Sequence, residues 1–299
     1  MLLRYPVAAG RFYPDAPQTL LAEVRHWLAY EFSSDAATAP GHNATTGGIM
    51  LPHAGYVYCG AVIGATLAST RATWVSHASS QAKSPLPQRL LLLCPNHTGM
   101  GHPLGIWPEG AWRTPLGDVP VDAELAQALL AGKAGFAADT AAHMHEHAIE
   151  VLLPFLQCPS RPLRVTPVCI GTSTAPALRR AGEFLAEVIQ QCEAEGEPVG
   201  IIVSSDMNHY EDQETTLRKD NLALAAICAC DAQGLLDVTR REQITMCGAA
   251  PMALALFAMQ SLGKPWATLC AHDTSASASG DLRHVVGYAG VRFGWEPMS

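Results

Sequence analysis

Charge is what this chain has least of. Only 15% of its 299 residues are Asp, Glu, Lys or Arg, against about 25% in an average globular domain. The 19 basic residues are outnumbered by 27 acidic ones, a formal net charge of −8, and no basic cluster stands out. A nucleic-acid surface is therefore not expected, although local fields can still favour anions. Long apolar runs are missing as well. The longest, Ala249 to Met259, falls far short of the ~18 residues of a membrane span, and MLLRYPVAAGRFYP lacks the apolar core of a signal peptide. There is no CxxC pair and no GxSxG nucleophile elbow. The nine cysteines are scattered singly, several inside apolar runs where cysteine acts as a small buried hydrophobe. A protein off the membrane, in the reducing cytoplasm, is the expectation.

Against these absences stand three short stretches of one design. Gly47 to Gly60 reads GGIMLPHAGYVYCG: an apolar run that breaks at Pro52-His53. Leu90 to Gly99 reads LLLLCPNHTG, breaking into Cys94-Pro95-Asn96-His97. Gly200 to Tyr210 reads GIIVSSDMNHY, ending in Ser204-Ser205-Asp206-Met207-Asn208-His209. Continuous apolar runs of this length read as strands buried on both faces, the mark of a parallel sheet. Parallel strands align their carboxyl ends, and in open α/β sheets ligands bind at that edge. His53, His97, Asp206 and His209 are thus expected to converge.

The remaining chain alternates helix and strand. Helices are expected at about 17–32, 61–68, 149–156, 176–194, 221–230 and 231–239, and in the run after Gly248, whose first turn accommodates Pro251. Asp122 is placed to cap a helix running to Leu130. Further strands are expected at 164–170, 267–270 and 285–293. The Trp-, Pro- and Gly-rich stretch from Gly105 to Asp122 reads as a hairpin, placed as a cap over the site. Connections at about 33–46 and 76–88 read as flexible insertions. The fold class that follows is α/β: a single layered domain over 1–299, its mostly parallel central sheet covered by helices.

Three more residues join the candidate site. Cys247 sits just before a helix, a position that lowers a thiol's pKa. Glu146 and His147 lie at the amino-terminal end of the 149–156 helix. The set His53, His97, Cys247, Asp206, His209, Glu146 and His147 carries metal chemistry well: imidazole suits iron, copper, zinc and nickel, and a thiolate shifts the preference toward zinc, copper or electron-rich iron. The remaining histidines and carboxylates would orient ligands or move protons. A cysteine nucleophile paired with His53 or His209 is the competing chemistry. His26, His42, His77, His143, His145 and His284 read as surface or structural residues.

Taken in order, AGRFYP, LPHAGYVYCG, PNHTG, HEHAIEVLLPFLQ, SSDMNHY, MCGAAP and VVGYAGVRF resemble the Memo family, whose prokaryotic members are often named AmmeMemoRadiSam system protein B. The likeness runs from about residue 5 to 293. It implies a fold similar to the class III extradiol dioxygenases, which open catechol rings with non-haem iron(II) and oxygen. It also implies metal ligation by His53, His97 and Cys247, with the family's Asp and His on Asp206 and His209 and its Glu-His pair on Glu146 and His147. A Cys replaces the carboxylate that would complete the dioxygenase ligand set. The resemblance therefore points first to iron, then to copper, with zinc behind them, and to a non-haem oxidoreductase. The alternative it leaves open is a binding module whose pocket recognises a peptide or a partner protein of radical-SAM or AMMECR type.

Overall fold

Every residue of Thr46–Leu51, Arg89–Pro95 and Val199–Ser204 is buried, as unbroken apolar runs require when helices cover both faces of a sheet. The computed structural model describes residues 2–30, 46–70, 87–158 and 162–296. The connections expected at 33–46 and 76–88 fall almost wholly outside these residues, as do His42 and His77.

In chain order, β1 (Leu3–Arg4) and α1 (Pro17–Ala29) precede β2 (Thr46–Leu51), α2 (Tyr56–Ser69) and β3 (Arg89–Pro95). Next come β4 (Leu104–Ile106), β5 (Ala111–Thr114), β6 (Gly117–Pro120), α3 (Ala123–Ala131), β7 (Ala137–Ala138) and α4 (Leu153–Gln157). β8 (Arg164–Ile170), α5 (Ala175–Ala194), β9 (Val199–Ser204), β10 (His209–Glu211), α6 (Gln213–Cys228) and α7 (Ala232–Arg241) follow. The chain closes with α8 (Ala249–Leu262), β11 (Lys264–Thr274), α9 (Ala276–Ser279) and β12 (Val285–Glu296).

The central sheet runs β10-β12-β2-β9-β3-β8-β4-β7, with β11 also paired to β12. Its heart, β2-β9-β3-β8, is parallel throughout. β12 is antiparallel to β2, β10 and β11. Side chains alternate between two cores as a period of two demands. Ile49, Leu51, Leu90, Leu92 and Ile202 face one core with Leu20, Val24, Val62 and Phe155, from α1, α2 and α4. Met50, Leu91, Leu93, Ile201 and Val203 face the other with Leu185, Ile227, Leu235 and Leu254, from α5 to α8. The mixed α/β architecture, with a mostly parallel sheet between helical layers, is the expected one.

Several local expectations need correction. α6 starts at Gln213 rather than near Asn221: its first turns are polar and show no apolar period, but the Asp212 carboxylate caps them by accepting from the Thr215 N–H at 3.0 Å. The segment expected as one helix over 149–156 is a 3-10 turn at Glu150–Leu152 followed by α4, with Pro154 at the start of the second piece, where its missing N–H interrupts the ladder. Asp122 does cap α3, accepting from the Leu125 N–H at 3.1 Å. The hairpin within Gly105 to Asp122 forms as β5 and β6, joined by β1 in a separate three-stranded sheet. It is no cap over the site. Trp107 and Trp112 are buried in it against His143, and the Arg4 guanidinium lies 4.5 Å from the Trp112 ring centre. Among the described residues no helix is long and apolar enough to cross a membrane.

Candidate functional site

β2, β9 and β3 are parallel neighbours, so their carboxyl ends open side by side. The Ser205 N–H still bonds Leu51 O at 2.9 Å, as a last rung. One residue later a side chain takes over: the His53 N–H donates to Asp206 Oδ1 at 2.8 Å. His97 emerges beside them after β3. Cys247 arrives on the loop before α8, where the Asp206 N–H points at its Sγ from 3.2 Å and the Gly248 N–H donates to Ser205 Oγ at 3.0 Å. His53, His97 and Cys247 each offer a donor atom within 4.8 Å of the others'.

Hydrogen bonding decides which nitrogen each ring presents. Ser204 Oγ gives its only proton to Ala148 O at 2.7 Å, so at 2.7 Å from His53 Nδ1 it must accept. His53 is therefore the Nδ1–H tautomer, with its Nε2 lone pair 3.4 Å from Cys247 Sγ. His97 donates Nδ1–H to Glu146 Oε1 at 2.8 Å, and His209 donates Nδ1–H to Thr245 O at 2.9 Å. All three imidazoles thus keep Nε2 as the free base. Such outer partners fix ring orientation and raise ligand basicity in metal sites.

Electrostatics favour the neutral forms of His53, His147 and Cys247 but not of His97. Burial, then the neighbouring His147 and His97, hold His53 well below the ordinary histidine range. His147 is lowered by burial, against the pull of Glu146. Burial opposes protonation of His97 too, yet the hydrogen bond and charge of Glu146 win and raise it. Glu146 itself, despite burial, is brought down to about 2 by the His97 bond and charge. Burial, aided by the Asp206 charge, pushes the Cys247 thiol up. That reverses the sequence expectation of a thiol lowered by the helix start: desolvation outweighs the helix end. A cation would be needed to bring out the thiolate. Asp206 is raised by burial, tempered by the His53 N–H and the nearby imidazoles.

The residues border a cavity of about 740 Å³ lined by His53, His97, His147, Asp206 and His209. Cys247 and Glu146 lie behind its lining. Of these two, Glu146 is the deeper. Its carboxylate is fully buried beneath His97, accepting from the His97 N–H, His97 Nδ1 and the Ala148 N–H. A second possible ligand group, His97, Glu146 and His147, would have to compete with those bonds. His147 stacks on His97, centroids 5.0 Å apart at 20°. A separate groove of about 570 Å³, between Leu21, Arg25, Leu116 and Arg164, lies near the strands' amino ends, remote from this chemistry.

Sequence reasoning left out much of the cavity wall. Phe12, Tyr58, Tyr210 and Tyr288 supply aromatic surface, and His284, read as surface or structural, is on the wall with Asp281. Phe12 packs on His147 with centroids 4.7 Å apart. It is held there by an arm bound to the buried Glu150, which accepts from the Val7 N–H and Ala8 N–H at 2.8 Å and from the Tyr13 hydroxyl at 2.6 Å, and pairs with Arg4. Nothing local in AGRFYP shows which residue this arm covers.

Residues 4–292 match the family model described as Memo-like protein. The chain belongs to the Memo-like family. A MEMO1 family protein of Thermotoga neapolitana is 38% identical over 290 residues, covering 96% of this chain and 98% of its own. Those of Pyrobaculum arsenaticum and Methanobrevibacter smithii are 33% and 34% identical, each over 293 residues, covering 98% and 96% of this chain and 99% and 98% of their own. In this Memo-like chain the histidines and cysteine that carried the resemblance are the ones that meet at the sheet edge.

Proposed function

We propose that this Memo-like protein is a cytoplasmic, metal-dependent oxidoreductase acting on a small molecule, with His53, His97 and Cys247 as metal ligands. The observation that supports it best is the donor set itself: two imidazoles with Nδ1–H committed to protein acceptors, and a thiol, all within 4.8 Å. Two nitrogens and a sulfur fit a borderline-soft transition ion, with iron(II) the first choice, copper the second and zinc the third. When bound, the ion would supply Lewis-acid and electron-transfer chemistry. Around it, His209 would move a proton at Nε2, with His147 as the other proton-transfer group. Asp206 holds the His53 backbone in place, and Glu146 orients His97. Phe12 and Tyr58 would give a substrate aromatic surface on the cavity wall.

The test is elemental analysis of protein purified without oxygen or chelators, beside His97→Ala and Cys247→Ala. Near-stoichiometric iron or copper in the parent, lost in both variants, is the expected result. No uptake by the parent after anaerobic loading overturns the reading.

One observation favours a second role. Tyr58 and Tyr210 line the cavity yet remain 41% and 74% exposed, as aromatic anchors at a docking rim would. A radical-SAM or AMMECR-type protein is the partner the family resemblance suggests. Co-purification that survives His53→Ala but is lost in Tyr210→Ala would support this binding role.

A further inference from the structure

The segment carrying His209 and the segment carrying Cys247 are laced together by a closed set of hydrogen bonds in which one side chain is shared. His209 spends both of its protein-directed hydrogens on Thr245: the backbone N–H on Oγ1 at 2.8 Å and ring Nδ1–H on the carbonyl O at 2.9 Å. Thr245 in turn spends both of its own on Asn208 Oδ1, from N–H at 3.1 Å and from Oγ1 at 3.2 Å. The Thr245 carbonyl can only accept, so it fixes the proton on His209 Nδ1, and the Asn208 carboxamide oxygen, by taking both Thr245 donors, holds that carbonyl in place.

Asn208 is itself rigidly held. It is fully buried. Its N–H donates to Asp220 Oδ1 at 2.9 Å, and its Nδ2 donates to Glu211 Oε2 at 2.7 Å. Its carbonyl accepts from the Gly287 N–H at 2.9 Å. The amide orientation is fixed by those partners: a flipped side chain would face two donors of Thr245 with its own NH2 and face the Glu211 carboxylate with its oxygen. Asp220 is anchored from behind by His272 Nε2 at 2.9 Å.

We propose that Asn208 is a positioning residue: by holding Thr245 it places the carbonyl that keeps His209 as the Nδ1–H tautomer, and so registers Nε2 against the Cys247 loop. Its mechanistic meaning rests on the proton-transfer role given to His209 above, but the lock is a property of the folded chain with or without a metal. A side chain that served only to fill space would leave the tautomer alone. A side chain that places the accepting carbonyl controls it.

The experiment is nitrogen-15 NMR of histidine-labelled, metal-free protein, with the His209 ring assigned by comparison with His209→Gln. The expected result is a single Nδ1–H tautomer in the parent. Asn208→Ala strands both Thr245 donors and converts the ring to a mixture of tautomers with a rapidly exchanging ring proton. Asn208→Ser, whose hydroxyl is too short to reach Thr245, gives the mixture as well and carries the test should Asn208→Ala fail to fold. An unchanged His209 tautomer in whichever of Asn208→Ala and Asn208→Ser folds overturns the proposal. Because the readout is taken without metal, failure of the metal reading shows in elemental analysis and failure of this one in the spectrum.

Discussion

Glu146 takes both the backbone N–H and the ring Nδ1–H of His97, at 2.7 and 2.8 Å. One buried carboxylate thus fixes the position, tilt and tautomer of a candidate ligand while staying off the cavity surface. The carboxylate is ionised across the whole neutral range, since its pKa is brought down to about 2.

Glu146→Gln keeps the shape but removes the charge that makes His97 a better base. Metal affinity should fall about 10–100-fold, read by chelator competition against iron(II) or copper. An affinity unchanged within a factor of two would refute the orienting role.

The thiol of Cys247, raised by burial and by Asp206, should be a poor nucleophile in metal-free protein. At pH 7.5 iodoacetamide is expected to modify it at least about 100-fold more slowly in the native protein than in urea, because the thiolate is the reactive form. Rapid native labelling would instead favour the cysteine-nucleophile chemistry.

His143 gives the clearest pH signature away from the site. It is fully buried, its Nε2 donates to Gly105 O at 3.0 Å, and burial brings its pKa down to about 4 despite that bond. Unfolded, it titrates near 6.5, so between pH 6.5 and 4 the unfolded chain binds the extra proton. Stability is therefore full above about pH 6.5 and declines as pH falls toward 4, by roughly 3 kcal/mol from this residue. His53 and His147, lowered as well, act in the same direction. Urea unfolding as a function of pH should show the decline, and His143→Asn should flatten it. An equal slope in the variant would assign the effect elsewhere.

Glu150→Gln would leave Arg4 buried without its counter-charge. A loss of about 3–5 kcal/mol is expected, visible as a lower melting temperature and as faster tryptic cleavage after Arg11. Replacing Arg4 by Met in the same chain should recover part of it. No change in melting would show that the arm is held by its apolar contacts alone.

The site was legible where it depends on strand ends. His53, His97 and Asp206 follow apolar runs that only a doubly covered sheet explains, and Cys247 precedes a helix whose apolar sequence marks it as buried. What could not be read were the contacts between distant segments. Phe12 reaches His147 only because Glu150 binds the arm. The 105–122 stretch looked like a cap from composition, but pairing of β5 with β1 draws it to Trp107, Trp112 and His143 instead. The thiol of Cys247 shifts upward because its depth, invisible in one dimension, matters more than its place before α8.

The arm that sets Phe12 on His147 also imposes an order on assembly. Phe12 leaves the ribosome well before its anchor Glu150, and Cys247 and Tyr288 come later still. Because domains tend to acquire structure as they emerge, the sheet of β1, β5 and β6 can form early, but β2 and β3 meet only through β9, and the full donor set exists only once Cys247 has followed. A nascent chain stalled before Cys247 would carry two exposed imidazoles and an apolar sheet edge, a species for chaperones to hold rather than a partly working protein.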